Sequence, residues 1–263
     1  MAFPKLHKFK HYTKRQRRNK LVGIAQILSA SRTKDEFLQT LENMSERDIK
    51  AIERRTREQS KNTDWFYYRQ AVITGTLARR ISISIKKGQG CNEKINAAIS
   101  KIESVQLYYP AIRYGRDNES TAIRAFLKSE QSVHTNLKVH SKGLQLDKTM
   151  PFIGGSIDGW VTCDCCPEPR VLEVKCPYSL RTSSSISEDG RKLAYLDEKL
   201  DLRHNHQYYY QVQTYLGIYN CSKAHFVVWT PNDLLIRDIN FDEKLWKNLK
   251  EDLRMYYIDS YLK

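Results

Sequence analysis

Three features of the sequence predict an α/β chain with a mixed β-sheet core flanked by helices. The first is a strand-like apolar stretch within residues 152–178, FIGGSIDGWVTCDCCPEPRVLEVKCPY, interrupted by Asp158 and by Glu173-Val174-Lys175. The second is a series of segments whose apolar residues recur at three-to-four spacing, the period of a helix with one buried side. The third is a pair of late apolar runs, 225–231 and 234–239, joined by a Pro-Asn-Asp turn that reads as a strand connection. Strands mixed with helices in this order give helices packed on a sheet.

Taken in order, residues 1–20 carry eight Lys or Arg and no acid. They form a basic tail suited to phosphate contact or nuclear import, or simply a solvated tail. Residues 21–62 read as a helical extension, with Ile24, Ile27 and Leu28, then Phe37, Leu38, Leu41 and Met44, then Ile49 and Ile52 at helical spacing. Thr33 and Ser45 are placed to cap helix starts. The main domain is expected over 63–263. Near its start Thr74-Gly75-Thr76 precedes a helical pattern. Unpaired N–H groups at a helix start, the Thr hydroxyls and the Arg69 guanidinium would suit an anion such as phosphate. A Thr N-cap with Arg69 lying over an aromatic surface accounts for the same residues.

A Lys-rich turn at 86–90 leads to a helical pattern over 95–107, and Pro110 opens another over 111–126. That second helix sets Glu119 beside Ala122, Ile123 and Phe126, so Glu119 is either a rim charge or a site residue. The polar stretch 182–190 is expected to be a mobile loop. Residues 202–218 read as a helix with Tyr208, Gln211 and Tyr215 on one face. His204 and His206, two apart, do not share a helix face and are expected to make cap or backbone contacts. A closing helix is expected over 242–261.

The chemistry centres on the first feature. Residues two apart in a strand share a face, so Glu173 and Lys175 project together while Val174 points the other way. If FIGGSID is also a strand and doubles back, Asp158 falls beside Glu173 across the hairpin. Two carboxylates with oxygen ligands only and no paired His favour a hard cation, Mg²⁺ or Mn²⁺. A salt-bridged surface hairpin carries the same pattern.

The formal net charge of +14 favours a polyanionic partner. Nucleic acid ranks ahead of a membrane, because no amphipathic basic helix, lipidation motif or bilayer-length apolar run occurs. With no secretory leader, an intracellular location is expected, nuclear for a eukaryotic or viral chain. Six cysteines, at 91, 163, 165, 166, 176 and 221, are accordingly expected as thiols rather than disulfides. Cys163 and Cys166 have one C-x2-C spacing without an evident second pair, so a zinc site would require the fold to bring up Cys176 and Cys221.

Five ordered motifs together resemble the YqaJ-like viral recombinase group of the lambda-exonuclease family, within the PD-(D/E)XK nuclease superfamily. They are Trp65-x3-Arg69-x3-Ile73-Thr-Gly-Thr76, Gly115-x3-Glu119-x2-Ala122, Gly155-Ser-Ile-Asp158-Gly159, Leu172-Glu-Val-Lys-Cys-Pro177 and Tyr208-x2-Gln211-Val-Gln213. The resemblance implies a restriction-endonuclease-like fold and a metal-dependent deoxyribonuclease, cutting double-stranded DNA 5′→3′ from 5′-phosphorylated ends. It implies that Asp158, Glu173, the Val174 carbonyl and Glu119 bind metal, two Mg²⁺ or Mn²⁺ ions. Lys175 would orient and activate water, and Gln211 and Tyr208 would line the site on a bridging helix. Arg69, Thr76 and Ser156 would match a 5′-phosphate pocket. The same resemblance implies a single-strand-annealing recombinase as partner and a homo-oligomer, a trimer in the phage branch. Departures are Thr76, where the phage enzyme has Ser, and Ile157, where the superfamily has Pro. Rival readings are an internally cutting nuclease of the same fold and a catalytically silent DNA-binding scaffold.

Overall fold

The computed structural model describes residues 21–100 and 109–263, so the basic tail and the 101–107 part of the expected second helical stretch lie outside the described residues. From the N-terminal side come α1 (Ile24–Ala30), α2 (Lys34–Glu42), α3 (Glu46–Arg55), α4 (Thr63–Tyr68), the short β1 (Ile73–Thr74), α5 (Gly75–Lys86) and α6 (Glu93–Ser100). Caps set several of these starts. Thr33 Oγ1 accepts from Glu36 N and Ser45 Oγ from Asp48 N, as their positions ahead of apolar-periodic segments predict. Acids in the first turns of α2 and α3 add favourable charge at the positive helix ends.

The chain continues with α7 (Pro110–Glu130), β2 (Lys138–His140), β3 (Gln145–Leu146), β4 (Ile153–Gly155), β5 (Gly159–Thr162) and β6 (Arg170–Lys175). Then come the one-turn α8 (Ile186–Asp189), α9 (Gln207–Tyr219), β7 (Lys223–Trp229), β8 (Leu234–Asn240) and α10 (Glu243–Tyr256), which runs on into a π-type turn at Tyr257–Tyr261. Helix α9 begins five residues later than the sequence pattern predicts. His206 stops it there by capping, accepting from Tyr208 N at 3.2 Å. The stretch 182–190, expected as a mobile loop, instead holds α8. Ser185 caps that helix, Ile186 N donates to Asp233 at 2.7 Å, and buried Ser183 bonds Asp189 at 2.8 Å.

These elements form two compact units. The first takes 21–100, Gly143–Gly155 and Lys244–Lys263, and the second takes 109–142 and Ser156–Glu243. In the first, a three-stranded sheet of order β1-β4-β3 pairs β1 parallel and β3 antiparallel to β4. Its core stacks Tyr257 on Phe152 at 4.3 Å between centroids, and the buried Tyr257 hydroxyl donates to the Ala71 carbonyl at 2.7 Å. Aromatic area supplies the burial while the one polar atom is satisfied. In the second, a five-stranded sheet has the order β2-β5-β6-β7-β8. Only β6 and β7 run parallel. That pairing puts β6 at the centre, buried along most of its length.

The run FIGGSID is therefore not one strand of the Glu173 hairpin. Ile153–Gly155 belongs to the three-stranded sheet, and the partner of β6 starts only at Gly159. Gly154 explains the first half, because a Cβ there would press to 2.9 Å on Leu146 and 3.0 Å on Val72. Close backbone approach ties that residue to its own sheet.

The first unit also holds a buried junction between α3 and the segment before β3. Glu53 Oε1 accepts from Gly143 N at 3.1 Å, and Thr56 Oγ1 accepts from Leu144 N at 2.7 Å while donating to the Ile52 carbonyl. A methyl at Gly143 would collide with the Glu53 carbonyl and the Thr56 hydroxyl. Gly143→Ala should lower stability by about 1–3 kcal/mol, read as a reduced urea midpoint at unchanged slope. An unaltered midpoint would mean that this junction is loosely packed.

Candidate active site

Alternation along β6 sorts its side chains onto two faces. Leu172 and Val174 turn to the face where Ala122 and Phe126 of α7 close an apolar cluster with Val161 and Val227. Glu173 and Lys175 turn to the opposite face, where α9 lies over the strand and Gln211 Nε2 donates to Glu173 Oε1 at 2.8 Å. The charged pair thus follows from strand period, and its cover follows from helix period.

Asp158 completes the cluster. The antiparallel register Gly159↔Leu172 places Asp158 opposite Glu173, one residue before β5 begins. Its Oδ2 accepts the Val174 backbone N–H at 2.7 Å. A side-chain oxygen here takes the amide that a longer β5 would bond through its main chain.

Glu173 is 2% exposed. Its Oε1 receives both Lys175 Nζ and Gln211 Nε2, and Gln211 also donates to the Tyr215 hydroxyl at 2.8 Å. Lys175 Nζ lies 4.5 Å from the centre of the Tyr208 ring, within cation–π range. Beneath that ring sits Tyr195, 5.1 Å away and edge-on. Tyr195 is a site residue that spacing does not reveal, since it comes from an irregular segment with no periodicity to place it. Glu119, on α7, is partly buried and close enough to Glu173 to oppose its ionisation.

The electrostatics are those of an acid-rich site short of positive charge. Burial pushes Glu173 up to about 8, and the Asp158 carboxylate adds to that shift while Lys175 resists it. Asp158 is also raised by burial, against the pull of Lys175 and of the Val174 N–H. For Lys175 burial favours the neutral amine, but Glu173 and Asp158 outweigh it and hold the ammonium. Glu173 Oε2 is buried with no hydrogen-bond partner among the described residues. An orphaned carboxylate oxygen beside two further acids is the donor set that a hard divalent cation fits. Asp158, Glu173 and Glu119 have the right chemistry to hold one.

The remaining predicted residues divide between the two units. Arg69 and Thr76 belong to the first unit, and Ser156 to the second. The Arg69 guanidinium sits 3.9 Å over the Trp65 ring, and Thr76, exposed in the first turn of α5, shares a 3.0 Å hydroxyl contact with the N-cap Thr74. Thr74 makes no side-chain cap bond to the helix. His204 stacks on Tyr209 at 4.3 Å. Cys176 and Cys221 do not approach the Cys163–Cys166 loop as a zinc pair. Cys176 is buried in the α7-facing apolar cluster, its thiol held neutral up to about 12 by burial and then by Glu119 and Asp158. Cys221 donates to the Pro169 carbonyl at 2.9 Å.

The Glu173 shift has a consequence for stability. Without metal, the native state keeps this proton up to about pH 8, whereas the unfolded chain loses it near 4.5. The native state binds the extra proton between those values, so stability falls as pH rises through that window. Glu173→Gln removes the titration. In EDTA its urea midpoint should gain on that of the unsubstituted protein from about pH 5 to pH 8, and excess Mg²⁺ should close the gap by raising only the latter. Parallel pH profiles would contradict a buried, metal-seeking carboxylate.

A model of the YqaJ-like viral recombinase domain matches residues 64–222. Among solved structures, the alkaline exonuclease LHK-Exo from Laribacter hongkongensis is 18% identical, with 73% of this chain and 89% of that one covered and a TM-score of 0.54. The Shutoff and Exonuclease Protein from Kaposi's sarcoma associated herpesvirus is 11% identical over 89% of this chain and 78% of its own, at TM-score 0.54. A SOX protein in complex with DNA is 11% identical, covering 89% and 76%, also at 0.54. At these identities the likeness is one of fold. Comparison with curated proteins returns no match.

Proposed function

We propose that this chain, which belongs to the YqaJ-like viral recombinase domain family, is a divalent-metal-dependent deoxyribonuclease that degrades double-stranded DNA 5′→3′ from its ends. One observation carries the reading: Asp158 and Lys175, both partly buried, meet the buried Glu173, whose Oε2 has no partner among the described residues. Two of the structures with this fold are of proteins named as exonucleases, and a third is of a protein bound to DNA.

Asp158, Glu173, the Val174 carbonyl and Glu119 would hold Mg²⁺ or Mn²⁺, two ions in this proposal. Such ions, when bound, supply charge that stabilises the attacking and leaving oxygens of a phosphodiester displacement. The chain's own groups do the positioning. Gln211 Nε2 pins Glu173 Oε1, which leaves Oε2 as the oxygen directed to the cation. Lys175, held as an ammonium by its two acids and by the Tyr208 ring, is a donor that orients a water at Nζ and favours its loss of a proton. Tyr208 and Gln211, one turn apart on α9, form a wall against which a scissile strand can rest.

End preference is assigned to other residues. Thr76 supplies a hydroxyl in the first turn of α5, where backbone N–H groups also favour an anion, and Arg69, at the C-terminal end of α4, supplies a guanidinium; both are proposed to take a terminal 5′-phosphate. Ser156, in the second unit, is assigned to phosphate contact from the motif alone. The net charge of +14 supports duplex DNA as substrate. A single-strand-annealing recombinase as partner and assembly as a homo-oligomer, a trimer, belong to the same proposal.

Linear duplex DNA carrying a 5′ or a 3′ label, incubated with Mg²⁺, tests chemistry and polarity together. Early release of the 5′ label as mononucleotide is expected, with closed circular DNA left intact. Nicking of the circle would replace the exonuclease reading with an internally cutting one. Asp158→Asn and Lys175→Ala should each reduce degradation by at least on the order of 10²-fold while DNA binding persists, and undiminished cleavage in either refutes the site.

Arg69→Ala addresses the phosphate separately. The rate ratio for 5′-phosphorylated over 5′-hydroxyl ends should fall on the order of tenfold, the scale of one charge-assisted contact. An unchanged ratio would remove Arg69 from end recognition.

A further inference from the structure

We propose that His134, Cys163, Cys165 and Cys166 form a closed, structural Zn²⁺ site that staples the end of α7 to the β5–β6 hairpin. The four ligand atoms, one Nδ1 and three Sγ, all lie within 4.8 Å of one another. His134 Nδ1 is 3.2, 3.5 and 3.6 Å from the sulfurs of Cys165, Cys163 and Cys166, and the Cys163 and Cys165 sulfurs are 3.5 Å apart. Zinc bond lengths of about 2.3 Å to sulfur and 2.0–2.1 Å to nitrogen, set on tetrahedral angles, require edges of about 3.8 Å between sulfurs and about 3.6 Å between nitrogen and sulfur. The contacts sit close to those edges.

The surroundings suit a metal as well. His134 uses Nδ1 toward the sulfurs, and its other nitrogen, Nε2, faces Glu130 Oε2 at 3.8 Å. A carboxylate behind a ligating imidazole fixes the ring and strengthens its basicity. Arg170 Nη2 donates to Cys166 Sγ at 3.4 Å, offsetting the negative charge that three thiolates and one Zn²⁺ leave behind. Asp164, inside the loop, is tied to the turn after His134 through its N–H to the Thr135 carbonyl at 2.9 Å and through its side chain to Asn136. The fourth ligand thus arrives from a turn 29 residues before Cys163, which is why a C-x2-C spacing without a second pair conceals it.

Four protein ligands leave no open position, so the site is structural rather than catalytic. Its placement gives it a purpose. Helix α7 carries Glu119, and the hairpin β5–β6 carries Glu173 and follows Asp158, so the staple joins at their far ends the two elements that deliver the acids. Soft thiolates select zinc over the hard ion suited to the carboxylates, so the two sites do not compete.

Metal analysis of the full chain, expressed with added zinc and purified under reducing conditions, is the test. About one zinc per chain is expected to survive dialysis into Mg²⁺ buffer. His134→Ala with Cys166→Ser should lose it, His134→Cys should keep it, and Asp158→Asn with Glu173→Gln should keep it too. Zinc no higher in the unsubstituted chain than in the His134/Cys166 variant would overturn the proposal, as would zinc lost on changing Asp158 and Glu173. Cobalt-substituted unsubstituted protein gives a readout independent of variant folding. Intense visible bands of a tetrahedral thiolate site are expected, and the weak bands of an octahedral oxygen site, or a Cys163–Cys166 disulfide in place of metal binding, would be equally decisive against it.

Discussion

Burial of the Glu173 carboxylate on the central strand is the constraint from which the rest of the second unit follows. A carboxylate with 2% exposure is costly, and breaking a buried pair by removing one partner typically costs about 3–5 kcal/mol. Each neighbour answers part of that cost. Lys175, two residues along the same strand, supplies charge, and Gln211 from α9 supplies a hydrogen bond. Asp158 adds a second negative charge instead, and it is held in place by the Val174 amide of the same strand. The arrangement concentrates acidic groups where solvent is excluded, so that they hold protons unless a cation takes their place.

Strand alternation makes this compatible with a packed core. The apolar half of β6 meets Ala122 and Phe126 on α7, while its charged half meets α9. Neither helix could be exchanged for the other. Helix α7 must be apolar where it touches Val174 yet present Glu119 one turn earlier, and α9 must place an amide, Gln211, against a carboxylate. Precision at such a site depends on rigid supports. Helix α7 is held by its apolar contacts to the sheet, and the proposed metal staple would add a fixed point at its C-terminal end.

How far the sequence reveals this depends on whether a residue's role is local. Glu173, Val174 and Lys175 are legible because strand period alone sorts them, and Tyr208, Gln211 and Tyr215 because helix period does. Asp158 is legible as a member of the cluster but for an imperfect reason. The strand expected to carry it ends at Gly155 and joins a different sheet, and Asp158 reaches Glu173 because its side chain replaces a main-chain acceptor. His134 and Tyr195 are not legible at all. The first comes from a turn and the second from an irregular segment, and their partners are set by tertiary folding, where no period operates. The stretch 182–190 is misleading in the opposite sense, since a Ser-rich composition that suggests mobility is used for capping and for bonds to Asp233 and Asp189.

The cluster also bears on the contrast between a nuclease and a silent scaffold. Replacing a buried ionic group by well-packed apolar residues is often neutral or stabilising, so stability does not call for Asp158, Glu173 and Lys175 at these positions. Binding to DNA does not call for them either. A polyanion is attracted by exposed Lys and Arg, in which the chain is rich, and gains nothing from acids in the site it must approach. Two carboxylates, one with an unpartnered oxygen, therefore serve neither task that a scaffold performs. On the proposed function they would become favourable, because a divalent cation held by these acids would offset their charge and supply what a phosphodiester displacement requires.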